Sequence, residues 1–190
     1  MRTLLTLLLL SSLLLGCAAS KPPQNVGFGR VASIRALAGN YVNLGESGKD
    51  VRWYLSAVIW PDSAGTNLGA RGIDHAGIVT IEVTAVGDTA LHVRGLREDG
   101  LEKEQTFVEG KDFQLRSGRL VLGHRTESTM KPEVPVLGVM QTTRELGLDE
   151  GGQGKYQEVE KATGLVYLVV PIVASQSWEV RFRRRQEPGK

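Results

Sequence analysis

The run Ile78-Val79-Thr80-Ile81-Glu82-Val83-Thr84-Ala85-Val86-Gly87-Asp88-Thr89-Ala90-Leu91-His92-Val93-Arg94-Gly95-Leu96 reads as a β-hairpin. In its first arm Val79, Ile81, Val83 and Ala85 alternate with Thr80, Glu82 and Thr84. That period of two puts apolar side chains on one face of a strand and polar ones on the other. Gly87-Asp88 supplies the tight turn, since glycine and aspartate tolerate the positive φ that such turns need. The return arm puts Leu91 and Val93 inward and His92 and Arg94 outward.

The same grammar continues downstream. Asp99-Gly100 is a second turn signal leading into Leu101 to Val108, a charged, half-exposed strand. Phe113-Gln114-Leu115, a turn at Ser117-Gly118 and Arg119 to Arg125 make another hairpin. Glu127 to Pro135 reads as loop, and Val136 to Leu148 as a strand bent at Gly138 or Gly147. Gly151 to Gly154 turns it, Tyr156 to Lys161 returns, and Ala162-Thr163-Gly164 turns again. Leu165 to Val170 is apolar on both faces. Trp178 to Arg185 is the last strand, with Trp178, Val180 and Phe182 inward.

Upstream, Val31, Ile34 and Leu37 recur at helical spacing, which predicts one or two helical turns over Arg30 to Ala38. Gly39 to Leu44 opens the first strand. Val51 to Trp60 reads as a strand ended by Pro61, which cannot donate to a ladder. A loop rich in Gly and Asp follows, Asp62 to Ala76.

The expectation is an all-β fold: an antiparallel meander of about nine or ten strands with a short N-terminal helix. Short connections imply antiparallel neighbours. A long open meander exposes its edges, so it closes into a barrel or folds into a sandwich. Glycine, 23 of 190 residues, is well above the usual ~7%, as a turn-rich chain requires. Two runs break the alternation, Val51 to Trp60 and Leu165 to Val170. Something must cover their second face: the helix, another sheet, a partner protein or an apolar ligand. Trp53, Tyr54, Trp60 and Tyr167 are the candidate apolar ligand or partner surface.

The N-terminus carries the clearest address. Arg2 is followed by leucines from Leu4 to Leu15, relieved only by Thr6, Ser11 and Ser12. A charged start and a short apolar run make a secretory signal, too short to span a bilayer comfortably, which takes about 20 residues. Leu14-Leu15-Gly16-Cys17 resembles the lipobox of bacterial lipoproteins. The resemblance implies cleavage between Gly16 and Cys17 and lipidation of the Cys17 thiol, with Leu15 standing where a smaller residue is usual. Two or three acyl chains hold a protein firmly, at about 0.8 kcal/mol per buried methylene. Cys17 is also the only cysteine, so a thioether there leaves no thiol to mispair in an oxidising compartment. By the same resemblance, to enterobacterial lipoproteins, Ala18 after the cysteine implies the outer membrane, facing the periplasm.

The expected organisation is a leader at 1–16, a lipidated cysteine and tether at 17–30, and a single β domain at 31–190. Ala18 to Gly29 reads as the tether, stiffened by Pro22 and Pro23. Removing residues 1–16 from the 190 leaves 174, enough for one sizeable core. The formal charge falls from +2 to +1 with loss of Arg2. Near neutrality gives a nucleic-acid role no support.

The body resembles a lipocalin or calycin barrel in one further respect. A short helix is followed by Gly39-Asn40-Tyr41 entering the first strand, and the chain ends in an aromatic-and-arginine strand. In that family an arginine packs across the aromatic residue of the opening motif. The resemblance implies this role for Arg181 or Arg183 against Tyr41, and a small apolar ligand inside.

Chemistry-bearing patterns are sparse. His75, His92 and His124 share no metal-ligand spacing, and no second thiol helps. Asp149-Glu150-Gly151-Gly152 lacks the alternating acids of a calcium loop and reads as a turn. There is no Gly-x-Ser-x-Gly elbow. No catalytic residue, metal or cofactor is therefore expected. Arg181, Arg183, Arg184 and Arg185 are candidate contacts for anionic groups such as lipid headgroups, or a solvated strand end. The sequence reading is thus a lipid-anchored envelope protein with a non-catalytic β domain for protein interaction or envelope maintenance, alternatively a carrier of a small apolar ligand.

Overall fold

The alternating runs become β1 (Gly39–Val42), β2 (Thr80–Val86) and β3 (Ala90–Leu96). The computed structural model describes residues 26–48, 51–61, 72–131, 136–166 and 170–185. Ile81, Leu91 and Val93 are buried, as alternation requires. Val79 is the exception: it stays exposed while Ile78 turns inward. Gly95 explains the switch, because Ile78 and the Trp60 ring occupy the space a side chain there would fill.

The remaining strands are β4 (Leu101–Val108), β5 (Gln114–Arg116), β6 (Arg119–Lys131), β7 (Val136–Leu148), β8 (Gly154–Val166), β9 (Val170–Phe182) and β10 (Arg184–Arg185). They form two five-stranded sheets, in the order β10-β1-β2-β3-β4 and β5-β6-β7-β8-β9. Every strand pair in them is antiparallel. The arrangement is sandwich-like and not a closed barrel. Tyr41, Ile81, Leu91 and Val93 of one sheet meet Leu120, Leu148, Tyr156, Val180 and Phe182 of the other in one core. Ser117 and Gly118 both have positive φ, 52° and 77°, the mirror-image turn that two-residue hairpins favour.

Several elements differ from the sequence expectation. The N-terminal helix shrinks to one 3-10 turn, Ile34–Leu37, which buries Ile34 and Leu37. Residues 51–60 do not form a strand. They contain a short helix, α1 (Leu55–Ile59), and Leu55, Ser56 and Trp60 are buried. Asn43 makes this possible: its carbonyl accepts the Leu55 N–H at 2.8 Å, and its Oδ1 accepts the Ser56 N–H at 2.8 Å. Those are the donors a helix start leaves without partners.

Residues 127–131 are strand, not loop, and β8 runs straight through the expected turn at 162–164. Leu165 to Val170 is not one strand either. Val166 closes β8 and pairs with Val170, the first residue of β9. The last residues of the expected tether are part of the fold. Phe28 bridges to Asp149, and the Gly29 N–H donates to the Leu148 carbonyl at 2.9 Å.

Candidate functional site

The two sheets enclose an apolar cavity of about 80 Å³, lined by Tyr41, Leu55, Leu91, Phe107, Phe113 and Phe182 among others. Side chains fill most of the space between the sheets. Pockets for drug-sized ligands run to ~300–1,000 Å³, so this cavity is several times too small for such a guest.

The aromatic candidates do not form a surface. Trp60 is buried and donates through Nε1 to Gln105 Oε1 at 3.0 Å. Trp53 packs tilted on Tyr156, ring centres 5.8 Å apart. Tyr54 bridges to Leu44 ahead of α1. The two-sided apolar pattern of residues 51–60 therefore reflects helix packing. Tyr167, Gly16 and Cys17 lie outside the described residues.

The arginines are also dispersed. Arg181 is mostly buried, with Glu46 at 3.8 Å and Asp149 at 3.6 Å. Arg183 is exposed and lies 3.0 Å from Glu46. Arg184, not Arg181 or Arg183, covers the Tyr41 ring, at 5.8 Å from its centre. It is the register partner of Tyr41, whereas Arg181 and Arg183 have the other parity. Arg184 and Arg185 line an open recess of about 640 Å³ with Asn40, Glu82, Thr84 and Gln153. Glu82 makes that lining mixed in charge rather than cationic.

Among the histidines, His75 Nδ1 lies 2.9 Å from Ser56 Oγ. The neighbouring Asp74 carboxylate faces the Gly77 N–H at 3.1 Å and Arg97 at 3.3 Å. Ser56 has no exposed surface, so its hydroxyl has no path to a substrate. The pair belongs to the polar cluster around Asn43. Burial holds the His75 imidazole below its ordinary pKa, Asp74 opposing and Lys103 adding. His92 contacts Thr106 Oγ1 at 3.0 Å. His124 stands on β6 opposite Thr143. Among the described residues no cluster of His, Cys, Asp and Glu is placed to hold a metal ion.

The remaining candidate is the far half of the second sheet. Near the core its inner face carries Leu146, Tyr156 and Val180 in one rung. A polar belt follows, where Arg144 reaches Glu158 at 3.1 Å. Beyond the belt the sheet turns apolar again. Val139, Thr163 and Val173 form one rung of the outer face, opposite in parity to Leu146, and Leu165 and Pro171 stand in the next rung of that outer face. Val173 is 82% exposed, Val139 40% and Leu165 38%. Met140, Ala162 and Ala174 form a rung on the inner face, in line with Leu146, Tyr156 and Val180. Contiguous exposed apolar surface of this kind marks interaction sites.

The opposite end of the sheet holds the N-terminal segment. Phe28 sits between two cations, with the Arg119 guanidinium 4.3 Å and Lys155 Nζ 5.2 Å from its ring centre. Lys155 Nζ also donates to the Val26 carbonyl at 2.7 Å and to Glu179 at 3.0 Å. Sequence reading passed over Phe28, Lys155 and the 170–178 run. The signal for the last was present: nine residues without a charge.

Comparison of the chain with protein-family models, with curated proteins and with solved structures gives no significant match.

Proposed function

We propose that this chain is a lipid-anchored protein of the bacterial cell envelope whose β domain works by protein interaction, without catalysis. The observation that carries the reading is the polarity of the second sheet. The N-terminal segment is docked beside Asp149 at one end, and the exposed apolar rungs of Val139, Leu165 and Val173 lie toward the other. β7 alone, Val136–Leu148, spans about 40 Å at ~3.4 Å per residue. From Cys17 to Val26 the chain reaches at most about 30 Å. An anchor at Cys17 thus keeps the core near the membrane and leaves the apolar end free to meet another protein. The leader and lipobox support the address, and the small size of the apolar cavity between the sheets weighs against a carrier.

Cys17→Ser tests the anchor. The protein should leave the membrane fraction, and its intact mass should lose the acyl chains. Unchanged fractionation and mass would refute lipidation. Crosslinking in cells followed by identification of copurified proteins tests the interaction role.

A further inference from the structure

We infer that the outer edge of β9 pairs with β9 of a second copy of this chain, antiparallel about a two-fold axis at Gln176. This deepens the interaction reading, but it rests on the strand edge alone and not on the anchor.

The backbone fixes which groups face outward. Arg181 and Glu46 exchange both main-chain hydrogen bonds, at 3.0 and 2.7 Å. The peptide groups of Arg181 therefore point away from β8. The β8–β9 ladder continues to Val166↔Val170 without a register shift. Alternation then turns the N–H and C=O groups of Glu179, Ser177, Ser175 and Val173 outward as well. Among the described residues no strand meets this edge. Pro171, next in the same parity, has no N–H and ends the run.

Proteins usually guard such an edge with charge. β4, at the edge of the first sheet, carries Glu102, Lys103 and Glu104. β9 carries no charge from Val170 to Trp178. Lipid cannot satisfy an open edge, because hydrocarbon offers no partner to the peptide groups. A second strand can.

A second copy fits. With Gln176 opposite its own copy, Val173 pairs with Glu179 and Ser175 with Ser177, so every outward residue finds a hydrogen-bonding partner. The side chains then match: amide against amide at Gln176, hydroxyl against hydroxyl at Ser175 and Ser177, and large against small at Trp178 and Ala174. No like charges face each other, and the Glu179 carboxylate is already held by Lys155.

Single-cysteine crosslinking on the full chain reads the register. Gln176→Cys brings two thiols together in a non-hydrogen-bonded pair, where Cα atoms are ~4.5 Å apart, within disulfide reach. Val173→Cys, although far more exposed, lies about 20 Å from its own copy at ~3.4 Å per residue. Oxidation of intact cells should give a disulfide dimer at least several-fold more abundant for Gln176→Cys than for Val173→Cys or the wild type with Cys17 alone. Equal crosslinking at both positions would overturn the register. Ser175→Pro removes an outward N–H without touching the β8 ladder, and Val173→Lys charges the edge. Both should sediment as monomers in detergent with unchanged circular dichroism, while the wild type sediments as a dimer. A monomeric wild type overturns the inference. If that monomer still copurified with another protein, the interaction reading would stand and self-pairing would fall.

Discussion

The guanidinium of Arg184 lies over the ring of Tyr41 and donates to the carbonyl of Ala38. This ties the 3-10 turn, the first strand and the last strand together. A cation over an aromatic face contributes ~0.5–2 kcal/mol, and a hydrogen bond to a charged group about 1.5–3 kcal/mol. Arg184→Ala should therefore cost about 2–3 kcal/mol by urea unfolding. Arg184→Lys should recover part of that, since an ammonium keeps the charge but not the flat fork.

Tyr41 also governs behaviour at high pH. Burial pushes its phenol up to about 12, with Arg184 pulling in the other direction. Tyr156 is raised too, by burial first and then by its hydrogen bond to Glu158. The unfolded chain releases these protons near pH 10 while the folded chain keeps them. The Tyr41 contribution is complete below about pH 10 and is lost as pH climbs toward 12. Tyr41 alone accounts for about 2–3 kcal/mol across that window. Unfolding midpoints measured against pH should fall there, and Tyr41→Phe should flatten the slope.

Asn43 is fully buried, and its side chain binds three main-chain groups: the His75 and Ile78 carbonyls at 2.7 and 2.9 Å and the Ser56 N–H at 2.8 Å. Asn43→Leu strands all three. At ~1–3 kcal/mol per stranded group, with partial relaxation, the expected loss is about 3–5 kcal/mol by denaturant titration. Asn43→Asp should fare no better, because its oxygens face two carbonyls.

Lys155 and Glu179 form a buried ion pair at 3.0 Å, with side chains 6% and 11% exposed. Removing one partner of such a pair costs about 3–5 kcal/mol, because the other charge is left buried. Lys155→Met should show that loss and should also free Val26, raising amide exchange at Gly27 and Gly29. Adding Glu179→Gln to Lys155→Met should restore much of the stability, which thermal unfolding of the two variants would check.

The hairpin at 78–96 was legible because one face is wet and one is buried, so composition follows geometry residue by residue. Residues 51–60 were not, because a buried helix and a buried strand are both apolar all round. What selects the helix is Asn43, eight positions upstream of Val51, through contacts that no local pattern records. Gly138 and Gly164 misled in a different way. Here they face each other across β7 and β8, and a side chain on Gly138 would lie 2.8 Å from the Thr163 carbonyl oxygen. They mark close backbone approach rather than a bend at Gly138 and a turn at Gly164. The arginines at 181–185 looked like a patch because sequence adjacency hides parity. Pairing splits them among Glu46, Asp149 and Tyr41.

The last strand serves both sheets: β9 closes the second, and β10, one residue later, closes the first. Arg184 and Ala38 are 146 positions apart, so neither layer is complete until residues 181–185 have arrived. Loop-closure entropy must be met before such distant contacts form, which slows folding. Both layers therefore lock through one short stretch, residues 181–185. Deleting residues 181–185 should disrupt both sheets at once rather than trim an edge, which circular dichroism and thermal unfolding would show.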